Sequence, residues 1–303
     1  MSSAPTIGRW PLVRTLLVHL RLHFQLLLAP VFLWGWLVAV HTHPVTGSRV
    51  TGAVVIAFVC LHVFLYGGAT AFNSYYDRDE GPIGGLEHPP PVVPALLPFS
   101  LAVKLAGLVL AAFVNPSFLA VCILLAVLSV AYSRSWPRLK GRPWGSLLTV
   151  GLGQGALVYL GAWVAVRGDL LSVLDLTGLL GALTAGAFIA GLYPLTQVFQ
   201  IDEDRTRGDR TMAVAWGVGV CFRISLISQV IGGLAMLAVL GRLFGPVDLL
   251  LVGVGLLAQL GFVAWWAIRF DPARTLANFH RVMRLNAAGA TGLGLYLLVR
   301  GLV

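Results

Sequence analysis

The sequence predicts an all-α, polytopic membrane protein of about nine transmembrane helices, and three observations predict it. Of 303 residues, 58% are hydrophobic and 11% are charged, and a mean hydropathy of +0.86 is too high for a chain solvated by water on all sides. The apolar residues gather into runs of about 20, the length that crosses a hydrocarbon core as a helix. The arginines fall between the runs and favour alternate loops. The net charge of +9 therefore reports topology rather than a nucleic-acid surface.

In order, the runs centre on residues 16–40, 51–76, 92–113, 117–133, 145–166, 176–200, 212–240, 247–268 and 277–299. No soluble domain fits between them, so residues 1–303 read as one transmembrane domain. The first run is long and no small-residue cleavage site comes after it, so a retained span is expected there rather than a leader. One set of loops carries Arg9, Arg14, Arg78, Arg134, Arg138, Lys140, Arg142, Arg205, Arg207, Arg210, Arg269, Arg274, Arg281 and Arg284. The other set carries Arg49, Arg167, Arg242 and Arg300. Positive charge stays inside, which places the N-terminus in the cytoplasm and, with an odd number of spans, Val303 outside. The excess of Arg over Lys and the Ala, Leu and Gly content suit a bacterial inner membrane.

Polar residues inside the runs carry two readings each. His19, Arg21, His23 and Gln25 open the first span; Arg21 and Gln25 share one face and can enter a cavity, or Arg21 snorkels to the headgroups. Lys104 and Arg223 share that ambiguity. Cys60, Cys122 and Cys221 lie in apolar runs without a CxxC pair and read as packing residues. Spans five and six are rich in glycine, which lets helices approach closely; no phosphate-loop pattern is present. Asn278, Arg281 and Asn286 anchor the last span at the interface or line a cavity.

Two stretches demand more. FNSYYDRDE, residues 72–80, places Asn73, Asp77, Asp79 and Glu80 at the mouth of an uncharged run, where carboxylates are costly. A helix continuing to Glu80 sets Asn73, Asp77 and Glu80 on one face. YPLTQVFQIDEDRTRGDRT, residues 193–211, repeats the design: Tyr193, Gln197, Gln200 and Asp204 fall on one face of a continuous helix, with Asp202, Glu203 and Asp209 beside them. Hard oxygen ligands with Arg78, Arg205, Arg207 and Arg210 interleaved suit a magnesium diphosphate site. The basic loop 131–144 sets insertion topology or reaches the same diphosphate. Glu87 and His88, in a loop of Gly and Pro, read as ordinary surface charge. Solvated loops explain stray acids, but not why Asn73 and Gln197 lie a turn inside the helices on the same faces.

These stretches resemble the two Asp-rich motifs of the UbiA superfamily of intramembrane prenyltransferases, NDxxDxxxD and DxxxD, and the loop Tyr132 to Trp144 resembles that family's basic loop. Asn73, Asp77 and Asp204 match. Ser74, Gly81 and Gln200 stand at Asp positions, with Asp79, Glu80 and Asp202 nearby; Gly208, Arg210 and Thr211 fit the family's segment after the second motif. The resemblance implies nine helices around a lipid-open cavity. It implies two magnesium ions, here assigned to Asp77, Asp79, Glu80, Asp202 and Asp204. A prenyl diphosphate is assigned to Asn73, Arg78, Arg138, Lys140, Gln197, Gln200, Arg205 and Arg210. Asp77, Asp204 and Tyr193 are the expected catalytic residues, with Tyr75, Tyr76, Tyr132 and Phe199 as further aromatics near an allylic cation. The acceptor is expected to be aromatic or otherwise small. A terpene cyclase on the same scaffold is the near alternative; a lipid-phosphate carrier is the distant one, disfavoured by so many acids at one site.

Overall fold

The computed structural model describes residues 9–42 and 48–302; the segment ahead of Arg9, residues 43–47 and the terminal Val303 lie outside the described residues. The described residues are helical throughout apart from loops and one isolated β-bridge. Among the described residues, eight helices are long and apolar enough to cross a membrane: Pro11–Thr42, Gly52–Asp77, Pro116–Ser133, Pro143–Arg167, Leu176–Gln197, Val218–Leu243, Pro246–Ile268 and Thr275–Leu302. A 17-residue apolar helix, Leu96–Ala112, takes third place in the order. Numbered along the chain these are spans one to nine, in agreement with the expected number. Helices suit this setting because every backbone donor is satisfied within its own segment.

Span one is broken where its polar residues sit. The helix Arg9–Val18 stops, Arg21 adopts a left-handed backbone with φ 50°, and a short turn leads into Ala29–Thr42. The carbonyl of Leu20, freed by the break, accepts from Gln25 Nε2 at 3.3 Å and Thr70 Oγ1 at 3.0 Å. The break thus costs little backbone bonding, and it carries Arg21 inward.

The core lies where spans one, five and six meet. Trp34, Trp36, Leu37, Tyr159 and Trp163 are buried there. A Cβ on Gly35 would fall 2.4 Å from the Tyr159 carbonyl oxygen, and one on Gly155 would fall 2.6 Å from that of Ala185. The glycines therefore serve close packing, as their density in spans five and six suggests. Spans eight and nine are thinly covered: 17% and 22% of their most apolar windows are buried, against 61% in span five. Their outer faces suit lipid. Lys104 is buried in span three, donating to Ser129 Oγ at 3.1 Å and lying 3.8 Å over the Phe72 ring, whereas Arg223 is exposed. Asn278 is a structural anchor, accepting from Trp266 Nε1 and donating to the Asp271 carbonyl.

Two helix continuations expected from the sequence do not occur. Span two ends at Asp77 because Arg78 turns left-handed at φ 52°, so Glu80 leaves the face shared by Asn73 and Asp77. Span six ends at Gln197, and a separate short helix, Ile201–Thr206, carries Asp204. The Gln197 side chain accepts the Met212 N–H at 3.0 Å and so closes the returning loop.

Candidate active site

One end of the bundle collects the charges. Span two delivers Asn73 and Asp77 from one face, since they are four residues apart. Asp77 is buried; its carboxylate accepts from the Lys140 amine and lies 3.5 Å from Arg138 Nη2. Asn73 Oδ1 accepts from Ser133 Oγ at 2.9 Å, joining span two to the end of span four.

The basic loop and the second acidic stretch lock together. The helix Ile201–Thr206 ends at Gly208, φ 76°, where the Asp209 N–H returns to the Asp204 carbonyl at 2.9 Å. That left-handed cap favours glycine and aims Asp209 back at the loop after span four. Arg138 grips Asp209 with two parallel bonds, Nε to Oδ1 at 2.6 Å and Nη2 to Oδ2 at 2.7 Å. A Cβ at 141 would fall 2.7 Å from Asp209 Oδ1 and so would push the carboxylate that Arg138 holds. Arg207 reaches across to Asp79, and its Nη2 donates to Asp204 Oδ1 at 2.8 Å. Thr211 Oγ1 donates to the other Asp204 oxygen at 3.0 Å.

Arg21, Arg78 and Arg138 are the non-glycine residues with left-handed backbone among those described, and all three lie at this end. Such conformations cost on the order of 1 kcal/mol each and persist only where the surroundings enforce them.

Four carboxylates, Asp77, Asp79, Asp204 and Asp209, thus pair with Arg138, Lys140 and Arg207 at a small polar pocket of about 90 Å³, which Arg21 also lines. Burial lifts the Asp204 carboxyl above its ordinary range despite Arg207, Lys140 and Thr211. Burial also works against Asp209, but Arg138 with Lys140 and Arg207 hold it below that range. Arg207 loses hydration too, yet Asp79, Asp77 and Asp204 keep its guanidinium charged more firmly than in water. Asp77 Oδ1 and Gln197 Nε2 are buried with no hydrogen-bond partner. Unsatisfied groups of this kind mark where a ligand completes the network.

The polar pocket opens into a cavity of about 960 Å³ lined mainly by apolar side chains of spans one, two, four, six, eight and nine. Arg21, Asn73, Gly84, Tyr132, Tyr193, Thr196 and Gln200 line both spaces. Tyr132 and Tyr193 meet there, oxygen to oxygen at 3.0 Å.

Of the residues singled out in the sequence, Asn73, Asp77, Asp79, Lys140, Tyr193, Gln197, Gln200 and Asp204 line the pocket. Arg138 stands behind Asp77. Tyr193, Gln197, Gln200 and Asp204 converge through a broken chain, not along one helix.

Others are not brought in. Glu80 and Arg78 are exposed beyond the end of span two. The Asp202 side chain is 99% exposed and lies 3.6 Å from the likewise exposed Arg205, because that face of their helix points to water while Asp204 is buried on the other. Arg210 is exposed and uses its backbone N–H, bonded to the Gly141 carbonyl at 3.1 Å.

Among the aromatics, Tyr75 and Tyr76 meet edge to face and Phe199 packs on Phe279, outside the pocket. Glu87 is more than loose surface charge: it meets His280 at 2.9 Å and ties its loop to span nine. Asn286 lines the cavity, and Arg281 lies over Trp265.

The sequence put Arg207 among the arginines of the site and Asp209 and Thr211 beside the second motif without assigning any of them a ligand, and it left Arg21 between cavity and headgroups. Arg207 and Asp209 flank Gly208, and that helix-stopping glycine is the signal that turns both inward. For Arg21 the signal is a charge deep inside an apolar run.

The UbiA prenyltransferase family model matches residues 27–287. The digeranylgeranylglyceryl phosphate synthase of Methanopyrus kandleri is 30% identical over 209 residues, which cover 67% of this chain and 72% of that protein. In structure the chain is similar to an apo UbiA homolog from Aeropyrum pernix, with a TM-score of 0.67 at 19% identity over 91% of this chain and 97% of that one. It is also similar to a UbiA homolog from Archaeoglobus fulgidus bound to DMAPP and Mg2+, with a TM-score of 0.60 at 16% identity over 89% of this chain and 99% of that one. The chain belongs to the UbiA prenyltransferase family. It is a multi-pass integral membrane prenyltransferase.

Proposed function

We propose that this UbiA-family enzyme seats the diphosphate of an allylic prenyl diphosphate in the polar pocket and the prenyl chain in the adjoining cavity, then transfers the prenyl group to the hydroxyl of a glyceryl phosphate lipid. The observation that carries this reading is the shared mouth of the two spaces, where a charged wall meets an apolar one. A substrate with an anionic head and an apolar tail matches both, and about 960 Å³ is at the upper end of small-ligand cavities.

The donor set fits magnesium. Asp77, Asp79 and Asp204 offer hard oxygens, and Asp77 Oδ1 lacks a partner. Among the described residues no three His, Cys, Asp or Glu side chains are grouped as a metal cage. Magnesium is commonly held by one or two carboxylates together with substrate phosphates. Asp77, Asp79 and Asp204 would hold it, and it would supply positive charge against the leaving diphosphate.

The protein's own groups do the rest. Lys140, Arg138 and Arg207, now paired with acids, donate to the diphosphate oxygens as the allylic C–O bond breaks. Tyr132 and Tyr193 present π-faces to the resulting carbocation. The apolar cavity keeps water from it. The acceptor oxygen then forms the new C–O bond, and its proton passes to the released diphosphate.

Of the aromatic or other small acceptor expected from sequence, the Methanopyrus relative favours a glyceryl phosphate over an aromatic compound. Gln154, Gln259 and Asn286 on the cavity wall support a polar acceptor; Asn286 Oδ1 is buried without a partner. The arginine asymmetry supports a cytoplasmic site. The bacterial inner membrane expected from sequence rests on composition, and the relatives compared are archaeal.

The test is diphosphate release from geranyl, farnesyl and geranylgeranyl diphosphate by purified protein in nanodiscs. It is run with magnesium or EDTA, and with a prenylated glyceryl phosphate, an aromatic alcohol or no acceptor. Magnesium-dependent release that requires the glyceryl phosphate is expected. Release with only the aromatic alcohol would overturn the acceptor, and a hydrocarbon product without any acceptor would overturn transfer in favour of cyclisation.

A further inference from the structure

We propose that Arg21 is a diphosphate-binding group whose fixed charge lets this site hold an allylic diphosphate without a divalent ion. The inference rests on the substrate reading above and goes beyond it in naming the residue and the metal dependence.

The other cations of the pocket are committed to acids: Lys140 to Asp77, Arg138 to Asp209, and Arg207 to Asp79 and Asp204. Arg21 differs. Its hydrogen bonds go to uncharged groups, from Nη2 to Ser74 Oγ at 2.6 Å and from Nη1 to the Gly84 carbonyl at 3.4 Å. Its Nε is buried with no partner, and the whole residue is 6% exposed. Among the described residues it forms no ion pair. Asp79 and Asp77 act on it only through space; a buried guanidinium with no bonded anion is costly, and the cost is recovered when an anion binds it.

Position identifies the anion. Arg21 lines both the polar pocket and the apolar cavity, at the junction a diphosphate must occupy when its prenyl chain lies in the cavity. The planar guanidinium fork matches two phosphate oxygens.

A snorkelling arginine would need no break in its helix. This one sits at a left-handed residue, with Gln25 and Thr70 satisfying the carbonyl that the break exposes. Ser74 completes the arrangement. A carboxylate at that position would pair with Arg21 and cancel its charge, whereas a hydroxyl holds the fork in place and leaves the charge for the ligand.

The experiment is titration of the purified protein in nanodiscs with geranyl thiolodiphosphate, an analogue that resists ionisation, by calorimetry in magnesium and in EDTA. The native protein is expected to bind in both, more weakly in EDTA. Arg21→Gln should lose about tenfold or more in magnesium and show no saturable binding in EDTA. Ser74→Asp leaves Arg21 in place; it should bind in magnesium and fail in EDTA. Detergent thermal unfolding reports whether each variant is folded.

Equal binding in EDTA by the native protein and either variant would overturn the inference. So would native binding that vanishes in EDTA. Both results leave the transferase reading standing. Failure of the native protein to bind even in magnesium would overturn that reading and this inference together.

Discussion

At the end of the bundle away from the pocket, Asp248 in the first turn of span eight accepts from Tyr296 Oη at 2.9 Å and lies 2.8 Å from Arg300 Nε. At the pocket end, Asp77 is buried just as well and also meets a cation. The far cluster ties span eight to span nine, and Arg300 further lies 4.6 Å from the centre of the Phe244 ring. At the same end, Asn115 caps span four and Asp175 caps span six. The near cluster is different in kind: four acids and four cations gather at a pocket beside an apolar cavity, and polar atoms of Asp77, Gln197, Arg21 and Arg207 are left without hydrogen-bond partners, against Arg300 Nε alone in the far cluster. A buried ion pair alone is therefore no mark of a site. Crowded charge with unmet hydrogen-bonding capacity beside an apolar cavity is one.

The comparison breaks first at Asp77. Asp77→Asn should lower the prenyl-transfer rate by at least about a hundredfold, measured as product per folded molecule at saturating substrate. Activity within a few-fold of native would reduce the near cluster to a structural tie like the far one. Lys140→Met tests the cationic side and should lower kcat/KM by about tenfold to a hundredfold, with most of the loss in affinity for the diphosphate.

Asp248→Asn is the reciprocal experiment. It should cost about 2 kcal/mol of stability in denaturant titrations while activity per folded molecule stays unchanged. A large loss of turnover would show the two ends to be coupled.

Acidification separates two acids within the near cluster. Asp204 is held above the ordinary aspartate value of about 4, so it is the earlier of the two to protonate as pH falls. Asp209 is held below that value; its stabilising contribution is complete above pH ~4 and is lost only as pH drops through its folded value. The acid limb of kcat/KM should therefore lie above pH ~4, ahead of any acid unfolding detected by circular dichroism. Coincident loss of activity and structure would contradict this order. The smallest effects are expected from Glu80→Ala, Asp202→Ala and Arg205→Ala. Their side chains are exposed, and each change should stay within about 0.5 kcal/mol in stability and leave turnover near native.

Much of this division was legible beforehand. Hydropathy marks nine spans because lipid demands long apolar helices. Asn73 with Asp77, placed four apart at the end of a span, comes from helical periodicity. The same periodicity misplaces Glu80, since the left-handed turn at Arg78 is set by its surroundings and an arginine gives no local warning of it. Asp202 looks equivalent to Asp204 in sequence, yet the helix that restarts after Gln200 sets the two on different faces, and packing buries only that of Asp204.

By itself, then, the sequence determined the class of protein, the number of spans, the acidic helix ends and the oxygen-rich chemistry, because each depends on residues near one another along the chain. Only the tertiary structure decided which charges meet. Arg21 with Ser74, Arg207 with Asp79, and Arg138 with Asp209 are separated by 53, 128 and 71 residues. Each pairing depends on where a helix breaks and how a loop returns, and those are settled by packing across the bundle rather than by local spacing.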